Sequence, residues 1–70
     1  MSPDVWDAIS EASREVLAAV EARDPARERT ARFQRAGLLD QLAATSAEYA
    51  EWATGLARID RQRAQDRTNL

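Results

Sequence analysis

Residues 38–59 read LLDQLAATSAEYAEWATGLARI, and their rhythm decides the fold class. Leu38, Leu42, Thr45, Tyr49, Trp52, Leu56 and Ile59 recur at alternating steps of four and three, and all but Thr45 are apolar. That heptad spacing predicts one apolar stripe on a helix. It describes packing rather than chemistry.

Upstream of this stretch, Phe33 falls out of phase with the heptad and Gly37 sits between the two patterns. Asp24-Pro25 pairs a capping residue with a proline suited to the first turn of a helix. The residue before proline is pushed out of the α region, so an earlier helix must stop near Arg23. Within that earlier segment Val5, Ile9, Ala12, Val16 and Val20 form a stripe, widened by Trp6 and Leu17. Ser2 is the expected cap and Pro3 the expected first helical residue, with Asp4 and Asp7 at the positive end of the dipole.

The reading is all-α. Helix 1 is expected over about 3–23 and a long helix over about 25–66, with Gly37 the place for a kink or a break, since a helical glycine costs about 1 kcal/mol relative to alanine. Thr45 and Glu48 have the spacing of a capping box and mark a second site for a break. Residues 67–70 are expected to fray, and the chain to form one domain, 1–70. An unbroken second helix would span roughly 60 Å against roughly 30 Å for the first. A hairpin of that kind leaves Tyr49, Trp52, Leu56 and Ile59 in solvent, at about 1.5–3 kcal/mol per large side chain. It therefore predicts a coiled-coil-like dimer or a helical protein partner. A turn at Gly37 allows a small three-helix bundle instead.

Composition narrows the function classes. Seventy residues bury only about 60% of the surface exposed by the unfolded chain, and domains this small commonly rely on a staple, a metal or a partner. The chain has no cysteine and no histidine, which removes disulfides and the usual zinc ligands. Serine and threonine have no histidine to act as base, and Glu48, Glu51 and Asp40 lack the histidine of helical di-iron sites. No enzyme and no cofactor are expected. No run approaches the roughly 18 apolar residues of a membrane span, and no signal peptide opens the chain, so a cytoplasmic location is expected.

Charge is arranged in blocks. Residues 1–24 carry −4, 25–36 carry +3, 37–57 carry −3 and 58–70 carry +2. The basic block Arg27, Arg29, Arg32 and Arg35 is expected to pair with Glu11, Glu15 and Glu21 of the first helix. Arg58, Arg61, Arg63 and Arg67 are diluted by Asp60 and Asp66, so nucleic-acid binding by this segment is not favoured over a solvated face.

One polar spacing is sharper. Glu51, Gly55, Arg58, Gln62 and Asp66 recur at steps of 4, 3, 4 and 4, on one helical face. The pattern resembles the cyclic-di-GMP signature of actinobacterial anti-sigma factors, with Gly55 where the signature has serine. The resemblance implies a nucleotide ligand, with Arg58 on guanine or phosphate and Glu51 and Asp66 on guanine edges. A broader likeness runs over residues 10–66, through Asp24-Pro25, Ala36-Gly37-Leu38-Leu39-Asp40-Gln41-Leu42 and Arg58-Ile59-Asp60-Arg61. It resembles the N-terminal helical region of small actinobacterial helix-turn-helix regulators, which implies dimerisation or spacing within a transcription regulator. The expected function is a self-association or partner-binding module whose interface is Leu38, Leu42, Tyr49, Trp52, Leu56 and Ile59. Alternatives are a cyclic-di-GMP sensor acting through Glu51, Arg58, Gln62 and Asp66, and a small nucleic-acid-binding accessory protein. Tyr49, Trp52, Leu56 and Ile59 would otherwise simply form an intramolecular core with Trp6, Ile9 and Val16.

Overall fold

Asp4 opens the first helix. Its Oδ1 accepts the Trp6 N–H at 3.4 Å, and α1 (Val5–Glu21) follows. The computed structural model describes residues 4–68, with side chains as far as residue 66. The expected cap and proline, Ser2 and Pro3, lie outside the described residues, and the cap falls on Asp4.

Helix α1 ends at Glu21, and Ala22, Arg23 and Asp24 make the corner. The Arg23 N–H donates to Val20 O at 3.1 Å and the Asp24 N–H to Ala19 O at 3.0 Å. These are the two bonds of a Schellman termination, which satisfies the last carbonyls of the helix. Arg23 adopts φ 54° to make them, the left-handed conformation that usually belongs to glycine. Asp24 then caps the next helix, α2 (Pro25–Thr45), its Oδ1 accepting the Arg27 N–H at 3.1 Å, with Pro25 in the first turn as the sequence predicted.

The long helix expected from 25 to 66 does not form. Nor is Gly37 the break, for α2 runs through it. The chain turns at Ser46, whose φ −137° and ψ 104° are extended. A short 3₁₀ turn, Ala47–Tyr49, leads into α3 (Ala50–Thr68). The break therefore falls at the second expected site, beside Thr45 and Glu48, but without the capping-box bonds. Thr45 Oγ1 donates back to Gln41 O at 3.0 Å within α2, and Ser46 precedes the new turn without a side-chain cap bond. Packing is the physical reason. The reversal lays α3 back along α2 and buries Ala53 and Ala57 with Ala36 and Leu39, which an extended rod would leave in water. The expected fraying at 67–70 covers Asn69 and Leu70, which lie outside the described residues; the α3 backbone continues to Thr68.

Among the described residues the result is three α-helices in an up-down-up order with α2 in the middle. Both outer helices pack on α2, while α1 and α3 have no Cα atoms within 8 Å of each other. The layer measures 35 × 25 × 13 Å, with a radius of gyration of 12.2 Å against about 11 Å for a compact chain of this length. It is an open layer rather than a closed bundle. Among the described residues the buried apolar ones are Ile9, Val16, Leu39 and Leu42 together with seven alanines. Alanine lets helices approach closely but removes only about a methyl group from water at each position. None of the helices among the described residues is long and apolar enough to cross a membrane.

Candidate functional site

The larger apolar side chains are mostly outside this core. Trp6, Leu17, Val20, Phe33, Tyr49, Trp52 and Ile59 are all exposed, and Leu17 reaches 63%. On α1, Trp6, Ser13, Leu17 and Val20 follow steps of 7, 4 and 3, which line one flank of a helix. Two contacts fix where that flank points. The Trp6 ring stands edge-on to Tyr49 at 5.1 Å and stacks with Trp52 at 5.9 Å, so it faces α3. Ser13 Oγ accepts from Arg35 Nη1 at 3.2 Å, on the side of α2 turned toward α3. On α3, Trp52 and Ile59 lie two turns apart on the flank that meets Trp6, with half-buried Leu56 beside them. Together these residues make one apolar face of the layer. Phe33 stands apart on α2 beneath the Arg29 guanidinium, 5.3 Å from its ring centroid.

Of the six residues expected at an interface, three lie on this face and exposed: Tyr49, Trp52 and Ile59. Leu42 is buried in the chain's own core, and Leu38 and Leu56 pack against that core while half-buried. The heptad does not run as one stripe, because the bend at Ser46 puts Leu38 and Leu42 on α2 and the rest beyond it. Leu17 and Val20 were legible only as the core stripe of α1. Their exposure follows from the gap between α1 and α3, which spacing along one helix does not report.

Beneath the apolar face lies a charged knot. Asp60 of α3 is 2% exposed. Arg35 holds it in a two-pronged grip, Nε to Oδ2 at 2.8 Å and Nη2 to Oδ1 at 2.6 Å. Arg32 Nη1 adds a bond to Oδ1 at 3.2 Å, and its Nε donates to Glu28 at 2.9 Å. Through Ser13 and Asp60, Arg35 touches all three helices. The Asp60 hydrogen bonds hold the Arg35 guanidinium above its ordinary pKa, so it stays charged at any accessible pH. No described buried side-chain polar atom is left without a partner.

This knot corrects the expected pairing of the basic block. Only Arg27 meets an acid of α1, forming an ion pair with Glu15 at the exposed edge. That hydrogen bond holds the Glu15 carboxyl below the ordinary carboxylate range and Arg27 above its own. Arg32 and Arg35 turn to α3 instead. A signal was available: Ala53, Ala57, Asp60 and Ala64 recur at steps of 4, 3 and 4. An aspartate within a stripe of alanines needs a buried cationic partner.

Of the polar spacing, Glu51, Arg58, Gln62 and Asp66 are exposed on α3 and Gly55 is half-buried. Glu51, Gly55 and Arg58 line an open hollow with Thr54. Arg58 and Gln62 line a second one with Asp40, Arg61 and Gln65, where Arg61 pairs with Asp40. Asp66 borders neither hollow, so the fivefold pattern is not gathered into one surface depression. Comparison with known proteins finds no matching family model, no matching curated protein and no matching solved structure.

Proposed function

We propose that this chain is a helical self-association or partner-binding module of a regulatory protein, acting through recognition and without catalysis. The observation that supports the reading is the distribution of apolar side chains. The interior is largely alanine, while Trp6, Leu17, Val20, Tyr49, Trp52 and Ile59 stand exposed on one face of an open layer. Interfaces draw most of their energy from such aromatic and large apolar anchors, and a contiguous patch of this kind marks an interaction surface. The helix that would close the layer into a bundle comes, in this reading, from another polypeptide. The regulatory setting rests on the resemblance of residues 10–66 to dimerising or spacing regions.

The double variant Leu17→Glu with Ile59→Glu tests it. Both positions are exposed, so helicity by circular dichroism is expected to match the parent. Association, measured by sedimentation for the chain itself and by affinity capture for other proteins, is expected to weaken at least tenfold. Undiminished association in the variant would sink the reading.

A further inference from the structure

Charge along the helix axes selects the occupant of the apolar face. Residues 4–13 and 36–57 make up the end of the layer that carries Trp6, Tyr49 and Trp52. They hold six acids (Asp4, Asp7, Glu11, Asp40, Glu48 and Glu51) and no arginine. The rest of the chain holds all ten arginines and the other six acids. The aromatic end therefore carries −6 and the opposite end +4, which together make the net charge of −2.

We propose that the apolar face is covered by a second copy of this chain, laid antiparallel about a two-fold axis that lies in the interface and crosses the helices. The proposal deepens the partner-binding reading above and rests on it. In this arrangement the acidic end of each copy lies over the basic end of the other. A parallel pair would stack like charge on like. The two-fold sets α1 on the partner's α1, and a register centred on Ser13 places Trp6 opposite the partner's Val20. The bulky end of the flank thus meets the small end, as a self-complementary interface requires.

Sedimentation equilibrium on the whole chain over a wide concentration range, from about 50 to about 500 mM salt, is the first test. A dimer is expected, with a dissociation constant that rises about tenfold as the charges are screened. Orientation is read from spin labels, which the absence of native cysteine makes simple. Labels at Ser10→Cys, near the axis, are expected to lie close together. Labels at Glu48→Cys, about level with Trp6 seven residues from the axis, are expected about 20–25 Å apart. Ser10→Cys labels as far apart as the Glu48→Cys labels, or a dimer that tightens with salt, would overturn the antiparallel pair. A strict monomer that still takes up another protein through Leu17 and Ile59 would overturn the second copy and leave the partner-binding reading standing. A dimer untouched by Leu17→Glu with Ile59→Glu would remove the apolar face from both.

Discussion

Arg23 is the single described non-glycine residue with positive φ, and it sits there because the Schellman bonds of α1 demand it. For an L-residue that conformation costs about 1–2 kcal/mol. The corner keeps it because the two terminal bonds and the Asp24 cap are made together. Arg23→Gly is therefore expected to raise stability by about 0.5–1 kcal/mol, part of the steric relief being offset by glycine's larger loss of chain entropy. Chemical denaturation of the two forms checks it. A loss of stability would mean that the Arg23 side chain holds the corner more strongly than its backbone strains it. The corner was legible at Asp24-Pro25, since a cap followed by proline acts through local geometry. That Arg23 would take the glycine position was not, because no glycine is present there to announce the turn.

At the scale of elements, the instructive residue is Gly37. Local propensity makes it the weakest point between Pro25 and Thr45, yet the helix continues through it. The neighbours on either side explain why. Ala36 is wholly buried, Leu39 is nearly so, and Leu38 packs on the same core. Burying these side chains outweighs a cost of about 1 kcal/mol for one glycine. A Cβ built at Gly37 would meet nothing within 4 Å. Gly37→Ala is therefore expected to stabilise the fold by about 0.5–1 kcal/mol, seen as a rise of about 4–8 °C per kcal/mol in the thermal midpoint of a domain this small. A fall would place an unrecognised backbone requirement at this position. The break at Ser46 falls at the second site the sequence marked, beside the Thr45-to-Glu48 capping-box spacing, but the box's own side-chain bonds do not form. It occurs where the return of α3 lets its alanines meet α2, so tertiary burial chose it.

Across the whole molecule, Asp60 is the residue that most ties the layer together. It binds Arg32 and Arg35 at once, and through Arg35 and Ser13 the contact extends to α1. Removing one partner of a buried ionic cluster leaves the others charged and without compensation, at a typical cost of 3–5 kcal/mol. Asp60→Asn is expected near the lower end, about 3 kcal/mol, because Arg35 retains some access to water. In a domain of marginal stability that is enough to unfold much of the population. The double replacement Arg35→Met with Asp60→Leu separates charge from packing while leaving Arg32 its Glu28 partner. It is expected to regain most of the loss, since apolar groups of similar volume often replace a buried ion pair without penalty. Denaturant unfolding of the three proteins decides it. A double variant as unstable as Asp60→Asn would show that these residues matter for shape rather than for charge balance.

Taken alone, the amino-acid sequence determined that the chain is helical, where its first helix gives way to the second, and that its largest apolar residues form stripes. Those properties come from propensity, caps and spacing, which act over a few residues and can be read in order along the chain. Only the tertiary structure decided which of the two marked sites, Gly37 or the Thr45–Glu48 stretch, cuts the heptad, which arginines meet Asp60, and that Leu17, Trp52 and Ile59 face outward while alanines fill the interior. Each of these depends on which helix lies beside which. The energy that settles them is burial and ion pairing between residues distant in sequence, and no local pattern carries that information.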